Sequence, residues 1–315
     1  MNENLKSGLD LTKATVQKLH DPIPQKNKVL LDVLRTDLIH PIVSGNKWFK
    51  LKYHLTEAKK QYKKGIISAG GAYSNHLLAL AYSCYSEGLH SIGIIRGEKP
   101  IKFSPTLVQA QQYGMKLEFV GREAFRDKNI LEKMISDQFK NYYWVPEGGQ
   151  SELGIKGASE ILAVVPTNPY THILCAVGTG TMMCGLVNAA LPYQHICGIP
   201  VLKSKDPIQN DLSLFLQTHT SQSNYSLQCG FHEGGYAKKT IPLLQFMNML
   251  YERHQLPTDF VYTGKLFLAI FTLIENDFFP PGSSLLAIHS GGLQGNRSLP
   301  PGSLNFTNKE QYVNG

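Results

Sequence analysis

The sequence is poor in cysteine, with only five in 315 residues: Cys84, Cys175, Cys184, Cys197 and Cys229. The number is odd and no two stand in Cys-x-x-Cys spacing, which argues against a disulfide framework and against a zinc site. We therefore expect reduced, mostly buried thiols, and we predict no bound metal.

Long apolar runs are also missing from the chain. No window approaches the ~18 uninterrupted apolar residues of a membrane span, and the N-terminal segment lacks the apolar core of a signal peptide. Hydrophobic residues make up 42% of the chain and charged residues 17%, which is typical of a soluble globular protein. The composition predicts a cytoplasmic protein without a membrane partner.

Nucleic acid is not favoured as a partner, although the net charge is +7. The one obvious basic cluster consists of Lys59, Lys60, Lys63 and Lys64, directly before Gly65. Cations complement the dipole at the end of a helix, where a glycine often forms the cap. The cluster therefore predicts a solvated helix end, and no nucleic-acid partner is predicted.

Short apolar runs of strand length alternate with helical patterns along most of the chain. Strands are predicted at residues 28–33, 66–69 and 171–177, and helices are predicted to begin near Lys47 and near Asn75. Strands separated by helices are typical of a parallel sheet that is covered by helices. The sequence therefore predicts an α/β fold.

Three loops are candidates for ligand binding, because each follows a predicted strand at the edge where open α/β sheets bind ligands. They are residues 69–76, 178–181 and 289–292. The small residues of loop 178–181 would let a phosphate approach free amides at a helix start. This loop matches neither the Walker pattern nor Gly-x-Gly-x-x-Gly, since Met183 stands at the third glycine position. Nucleotide binding is therefore only an alternative.

Lys47 differs from the other lysines in its surroundings. It lies in Ser-Gly-Asn-Lys-Trp-Phe-Lys, residues 44–50, beside small polar residues and two aromatic side chains. Desolvation there would lower the pKa of the amine and make it a nucleophile or base. Further candidate ligand-binding residues are the consecutive Ser74, Asn75 and His76, whose side chains could hold a phenolate oxygen and a carboxylate. Helix capping for the first two, and a structural role for the histidine, are the alternatives.

Six motifs, taken in order, resemble those of one enzyme family. They are SGNKWFKL (44–51), SAGGAYSNHLLALA (68–81), VPEGGQSELGIKGASEI (145–161), AVGTGTMMCGL (176–186), VYTGK (261–265) and HSGG (289–292). Together they resemble the 1-aminocyclopropane-1-carboxylate deaminase and D-cysteine desulfhydrase family. The resemblance covers most of the chain and implies pyridoxal 5′-phosphate as the cofactor and a small amino acid as the substrate.

The resemblance also implies a fold. Members of this family have the tryptophan-synthase β-subunit type of fold, which is a two-domain, three-layer α/β sandwich with parallel-rich sheets. A larger cofactor-binding domain would comprise residues 1–49 and 153–315, with a smaller α/β domain of residues 50–152 inserted. The cofactor would lie between the two domains, and the protein would be a homodimer.

The resemblance assigns the residues around the cofactor one by one. Lys47 would be the Schiff-base lysine, which also moves the α-proton of the substrate, and Lys50 would lie near the cofactor phosphate. The turn that holds the phosphate would consist of Gly178, Thr179, Gly180 and Thr181. Met182 replaces the threonine that the family has next, so one hydroxyl contact to phosphate would be absent.

The resemblance assigns the substrate side in the same way. Ser74 would face the substrate, and Asn75 would contact the ring oxygen of the cofactor. Together with His76, these two residues would bind the substrate. Tyr236 and Tyr262 match the two active-site tyrosines of the family, and core packing is the alternative for each.

Two positions bear on the choice of reaction. Cyclopropane-opening deaminases tend to have glutamate after the second tyrosine and leucine before the late glycine pair, whereas this chain has Thr263 and Ser290. Both resemble the desulfhydrase-like branch, in which a hydroxyl rather than a carboxylate contacts the pyridine nitrogen. A hydroxyl leaves the ring closer to neutral, and this weaker electron sink suits β-elimination of a good leaving group.

We therefore expect a lyase that converts D-cysteine into pyruvate, sulfide and ammonia by α,β-elimination. One alternative is deamination of 1-aminocyclopropane-1-carboxylate to 2-oxobutyrate and ammonia. Others are racemisation or serine dehydration with the same cofactor, and a non-catalytic homologue that only binds the cofactor.

Overall fold

Strands and helices alternate along the described residues, which are 8–203, 206–220 and 223–306 of a computed structural model. The strands are β1 (Val16–Lys18), β2 (Leu30–Leu34), β3 (Gly65–Gly70), β4 (His90–Arg96), β5 (Met115–Val120), β6 (Tyr142–Val145), β7 (His172–Val177), β8 (His195–Pro200), β9 (Tyr225–Leu227) and β10 (Ser284–Ile288). The helices are α1 (Pro22–Lys26), α2 (Asn46–Lys60), α3 (Asn75–Ser86), α4 (Pro105–Gln112), α5 (Arg122–Arg126), α6 (Lys128–Gln138), α7 (Glu152–Ser159), α8 (Thr181–Ala189), α9 (Asp206–His219), α10 (Ile241–His254) and α11 (Thr263–Glu275).

The strands form two sheets. The first has the order β1-β2-β10-β7-β8-β9, in which β1 runs antiparallel to β2 and the other neighbours are parallel. The second has the order β5-β4-β3-β6 and is parallel throughout. The loops that follow β7 and β10 consequently leave the same edge of the first sheet, where such sheets bind ligands.

Both sheets are covered by helices on both faces. In β7, Cys175 packs in a cluster with Leu186 of α8, whereas the preceding Leu174 packs in another cluster with Phe267 of α11. This alternation follows from the two-residue period of a strand. In the second sheet, Ile66 and Ile67 likewise belong to different clusters. The α/β class with helix-covered parallel strands is as predicted.

Helix α11 is an element that the sequence pattern does not reveal. Its sequence, TGKLFLAIFTLIE, is apolar on nearly every face, and ten of its residues are buried. Periodicity identifies a helix through the contrast between an apolar and a polar face. In α11 the less buried residues Leu268, Thr272 and Glu275 share one narrow face, and one of them is itself a leucine. A run this rich in apolar residues can be read as a strand or as a buried helix. The start and length of α11 are therefore visible only in the structure.

Two expectations from composition can be compared with the structure. Cys84, Cys175, Cys184 and Cys197 are buried, Cys229 is exposed, and none of these described cysteines forms a disulfide. Across the described residues, every helix falls short of the length and apolarity that crossing a bilayer requires. The prediction of reduced, mostly buried thiols is thus confirmed.

Candidate active site

Two of the three predicted loops meet at the start of α2. The backbone N–H of Asn46 donates to the Ser290 carbonyl oxygen at 3.3 Å. A Cβ on Gly45, which has φ of +59°, would lie 2.0 Å from the same oxygen, so no side chain fits here. The side-chain amide of Asn75 donates to the Gly292 carbonyl oxygen at 3.2 Å. The loops after β3 and β10 are therefore in direct contact.

The third loop reaches the same place from β7. A Cβ on Gly178 would lie 3.3 Å from an edge carbon of the Tyr262 ring. The Nζ atom of Lys47 lies 6.0 Å from the centroid of that ring. Lys47 is thus surrounded by the three loops, and this region is the candidate active site.

Lys47 is held by a neighbour on its own helix. Its Nζ donates to Asn46 Oδ1 at 2.6 Å. Burial lowers the pKa of Lys47 to about 8, and the negative charge of Asp259 opposes this shift. A substantial fraction of the amine is therefore neutral near pH 8, which is the form that attacks a carbonyl or accepts a proton.

Met182 contacts Asn46, the hydrogen-bond partner of Lys47, from the core of the first sheet. Its side chain is buried in the core of the first sheet. The Nδ2 atom of Asn46 donates to the Met182 sulfur at 3.3 Å. The residue that stands where the family has threonine therefore contacts the partner of Lys47 through a thioether.

A second amine lies close to the first. Lys50 is 5% exposed, and its Nζ donates to the Gly148 carbonyl oxygen at 3.2 Å. Burial and the nearby charge of Lys47 lower the pKa of Lys50 to about 7. An anion bound beside these lysines would relieve their mutual repulsion, which suits a phosphate.

The loop after β7 forms a tight turn into α8. Gly180 has φ of +85°, and a Cβ there would lie 2.8 Å from Leu212 Cδ1. The hydroxyls of Thr179 and Thr181 hydrogen-bond to each other at 2.9 Å, and Gln150 Nε2 donates to the Thr179 carbonyl oxygen at 3.1 Å. The first amides of a helix have no partner within it. The turn therefore offers backbone donors to a phosphate.

The loop after β3 combines capping with open polar atoms. The Ser74 hydroxyl accepts from the Leu77 N–H at 3.3 Å, so Ser74 caps α3. His76 is 4% exposed, and its Nε2 lies 3.0 Å from the Ser68 hydroxyl. Burial, followed by the charge of Lys47, lowers the pKa of His76 well below its usual value, so the ring is neutral. Ser74 therefore caps a helix and His76 forms a structural hydrogen bond, as the alternatives to ligand binding predict for these two residues.

Two polar groups in this region are open to a ligand. The Oδ1 atom of Asn75 is buried without a hydrogen-bond partner among the described residues. Buried polar atoms are normally paired in proteins, so this atom points to a polar ligand. Ser290 is 6% exposed, and its hydroxyl forms no hydrogen bond within the described part of the chain but is not among the fully buried unpaired atoms there. This hydroxyl is therefore free to contact a ligand.

Thr263 differs from Ser290 in this respect. Its hydroxyl donates to Asp259 Oδ1 at 2.7 Å and accepts from the Asp259 N–H at 2.8 Å. The same carboxylate accepts from the backbone N–H groups of Val261, Tyr262 and Thr263. The Thr263 hydroxyl is engaged in this network at the start of α11, so a direct contact to the cofactor stays a prediction.

The two predicted tyrosines lie together. The ring centroids of Tyr236 and Tyr262 are 6.3 Å apart, with the planes at 68°. Burial raises the pKa of Tyr262 well above its usual value, and the neighbouring Tyr236 raises it further. Tyr236 is 42% exposed, and partial loss of solvent raises its pKa as well. Both phenols are therefore protonated at neutral pH.

Comparison with known proteins identifies the family. Pyridoxal-phosphate dependent enzymes match residues 33–291 of this chain. The chain belongs to this family. It is 26% identical over 283 residues to a putative 1-aminocyclopropane-1-carboxylate deaminase of Thermotoga maritima, covering 84% of this chain and 88% of the relative. It is 25% identical over 282 residues to D-cysteine desulfhydrase of Yersinia pestis, covering 82% and 86%.

A solved structure supports the fold of this pyridoxal-phosphate enzyme. The crystal structure of an ACC deaminase homologue matches with a TM-score of 0.77 and 23% identity, covering 91% of this chain and 92% of the other. The two helix-covered sheets agree with the tryptophan-synthase β-like fold. The predicted family resemblance, fold class and cofactor are thereby confirmed.

The site residues fit pyridoxal 5′-phosphate. Lys47 supplies an amine with a lowered pKa, and the turn before α8 supplies backbone donors for a phosphate. The unpaired Oδ1 of Asn75 and the unpaired hydroxyl of Ser290 supply polar contacts for a substituted ring. Lys50 supplies a positive charge near the phosphate end.

Three residues of this site were not predicted from the sequence. They are Asn46, Asp259 and Lys265. An acid four residues before a threonine, at the start of a helix, is a signal for Asp259, because such acids accept helix N–H groups. A single lysine ahead of a long apolar run is a signal for Lys265, whose Nζ donates to the carbonyl oxygens of His232 and Gly235.

Proposed function

We propose that this pyridoxal-phosphate enzyme is a lyase that performs α,β-elimination on a small amino acid. The preferred substrate is D-cysteine, which yields pyruvate, hydrogen sulfide and ammonia. The activity named for the Yersinia pestis relative supports this choice. Support from the chain itself comes from the groups around Ser290.

The observation that carries the proposal is the contrast between Ser290 and Asp259. The Ser290 hydroxyl is open, whereas the Asp259 carboxylate already accepts bonds from Val261, Tyr262 and Thr263. A saturated carboxylate is not available to stabilise a protonated pyridine ring. The ring would therefore meet a neutral hydroxyl, and a weaker electron sink suffices when the β-substituent leaves readily.

Lys47 is proposed to move the α-proton. Bound pyridoxal phosphate supplies an electron sink that makes the Cα proton of an amino acid acidic. Lys47 Nζ would take this proton, and its pKa of about 8 keeps part of the amine neutral under physiological conditions. The electron pair of the Cα–H bond would form the Cα–Cβ double bond as the Cβ–S bond breaks.

The two tyrosines are proposed to protonate the leaving group. The two rings are in contact and both phenols are protonated, so the pair can supply a proton to the departing sulfur. Ser74 accepts from the Leu77 N–H, which leaves its own proton for the substrate carboxylate. The products are hydrogen sulfide and 2-aminoacrylate, which reacts with water to give pyruvate and ammonia.

A substrate panel tests the proposal. Cofactor-loaded protein is incubated with D-cysteine, L-cysteine, D-serine and 1-aminocyclopropane-1-carboxylate, and keto acid, sulfide and ammonia are assayed. We expect pyruvate and sulfide in equal amounts from D-cysteine. Release of 2-oxobutyrate from the cyclopropane substrate would overturn the argument from Ser290. Bound cofactor without any product would identify a non-catalytic homologue, and D-to-L interconversion without keto acid would identify a racemase.

The proposal also covers the oligomeric state, the cellular location and the domain boundaries. We propose a cytoplasmic homodimer with a larger domain of residues 1–49 and 153–315 and a smaller domain of residues 50–152. Light scattering should give twice the 35.1 kDa mass of one chain. A mass of one chain at all concentrations would contradict the dimer.

A further inference from the structure

Lys265 is a fully buried lysine near the start of α11. Its exposed fraction is 0%, and its Nζ donates to the His232 carbonyl oxygen at 2.8 Å and to the Gly235 carbonyl oxygen at 2.7 Å. Burial lowers its pKa to about 8, and the charges of Asp259 and Glu233 oppose this shift. A buried ammonium is tolerated only where polar partners surround it. Here the partners belong to a turn about thirty residues earlier in the chain.

That turn has an unfavourable backbone. Positive φ angles occur at Glu233 (+50°), Gly234 (+88°), Gly235 (+118°) and Ala237 (+52°). For residues with a side chain, this region is strained and persists only where the surroundings hold it. The ammonium of Lys265 binds carbonyl groups at both ends of the Glu233–Gly234 segment. It is therefore well placed to hold the turn closed.

The turn carries an active-site side chain. Tyr236 follows Gly235, and its ring contacts the Tyr262 ring at a centroid distance of 6.3 Å. Tyr262 and Lys265 are both part of VYTGK, where α11 begins. Lys265 thus connects the turn that carries one tyrosine to the helix start that carries the other.

We propose that Lys265 is a positioning residue that holds the turn at residues 232–237 and so sets the position of the Tyr236 side chain against Tyr262. The kinetic consequence rests on the proposed function, in which this pair delivers a proton. The consequence for the turn itself does not depend on the substrate. The two can therefore be tested separately.

Limited proteolysis tests the turn without any turnover. Lys238 and Lys239 are exposed tryptic sites directly after it. Loss of hydrogen bonds to a charged group should favour local opening, so Lys265→Met is expected to speed cleavage after these residues about tenfold or more. The matched control is Thr272→Val, which removes a hydroxyl from the same helix that bonds only to Leu268. Equal cleavage rates in Lys265→Met and in wild type would overturn the proposal.

A double-mutant cycle tests the effect on Tyr236. With whichever amino acid the enzyme turns over, Lys265→Met should lower kcat to the level of Tyr236→Phe, with little change in KM. The double variant should lose no more than either single variant, because both changes remove a correctly placed Tyr236 hydroxyl. Losses that multiply would mean that Lys265 acts only on general stability, and would overturn the positioning role.

A second variant covers the case in which Lys265→Met does not fold. Gly235→Ala leaves α11 unchanged and disturbs the turn from its other side, since the residue has φ of +118° and an added Cβ would lie 3.1 Å from Lys203 Cβ. We expect the same faster cleavage and the same drop in kcat. Should the substrate panel give no product, the proteolysis result still decides whether Lys265 holds the turn.

Discussion

Two glycine-containing turns approach the Tyr262 ring, whose centroid lies 6.0 Å from Lys47 Nζ, and they are held in place by different means. The turn at residues 178–181 lies between β7 and α8, so regular elements fix both of its ends. The turn at residues 232–237 has no strand or helix at either end, and a buried ammonium holds it instead. The first presents backbone amides, whereas the second presents the side chain of Tyr236.

The difference matches the chemistry that each turn is proposed to perform. A phosphate needs a fixed set of donors that stays the same through the reaction. A proton donor has to meet different atoms at different stages, and segments that move during catalysis are drawn from the less stable parts of a fold. We therefore expect changes in the first turn to affect cofactor binding, and changes in the second to affect turnover.

The largest effect is expected from Lys47, the lysine proposed to bind the cofactor. Lys47→Ala should lower kcat by about a thousandfold or more and remove the visible absorbance of protein-bound cofactor, because the group that binds it and moves the proton is lost. Turnover and the absorbance spectrum after dialysis are measured together. Lys52→Ala, an ion-pair partner of Glu160 on the same helix, is the control and should change neither. Full turnover in Lys47→Ala would refute the assignment.

Tyr236→Phe should lower turnover without changing cofactor affinity, and so distinguish the role of the second turn from that of the first. Loss of one hydroxyl of the proton-donating pair is expected to lower kcat by about 10- to 100-fold. The dissociation constant of the cofactor should not change, since the phosphate contacts are elsewhere. Steady-state kinetics and a cofactor titration give both values. Weaker cofactor binding in this variant would contradict the assignment of cofactor binding to the first turn.

The pH dependence of cofactor attachment should report mainly on Lys47. With a pKa of about 8, the neutral fraction of its amine rises roughly fiftyfold between pH 6 and pH 8. The rate at which cofactor-free protein gains visible absorbance should rise accordingly, and a flat profile would contradict the assignment.

The same shift has a consequence for stability. The pKa of Lys47 is lowered from 10.5 to about 8 in the folded chain, so the unfolded chain binds more protons between these values. The contribution of this group to stability is therefore largest above pH 10.5 and is lost as pH falls to about 8. Chemical unfolding of the cofactor-free protein at several pH values measures it.

Gly180→Ala tests the first turn. The added methyl group would have to tolerate φ of +85° and a contact of 2.8 Å with Leu212. We expect the cofactor to bind about tenfold more weakly, with kcat at saturating cofactor nearly unchanged. Gly282→Ala is a matched control, because Gly282 has φ of +89° but no atom within 4 Å of the added Cβ. It should lower stability without changing cofactor affinity.

Met182→Leu should have the smallest effect. The two side chains are similar in volume, so the free energy of unfolding should fall by less than about 1.5 kcal/mol. Only the sulfur acceptor for Asn46 is lost, and Asn46 still accepts from Lys47. The midpoint of the pH profile for cofactor attachment should shift only slightly. A large shift would mean that the thioether contact controls Lys47 directly.

The sequence predicts the first turn much better than the second. Loop 178–181 is recognisable because it follows an apolar strand and precedes a helix, and local patterns of this kind determine it. The turn at residues 232–237 is proposed to depend on Lys265, which is distant in sequence and lies in a mostly apolar helix. Long-range contacts of this kind leave no local periodicity.

The same distinction applies to the two hydroxyls that bear on the substrate. Residue type alone makes Thr263 and Ser290 equivalent, because each offers one donor and two acceptor sites. The structure distinguishes them through Asp259, whose carboxylate engages Thr263 and leaves Ser290 open. Sequence reasoning identified the chemistry of these positions but could not show which one was already paired.

The pairing of β2 with β10 has a consequence for how the protein is made. These strands lie near opposite ends of the chain, and their register joins Leu30 to Ser284 and Leu34 to Ile288. During synthesis Lys47 leaves the ribosome early and Ser290 leaves it near the end. The pocket around the lysine is therefore incomplete until almost the whole polypeptide has emerged. Cofactor capture is therefore expected to follow translation, and premature termination before β10 should yield chains that cannot retain the cofactor.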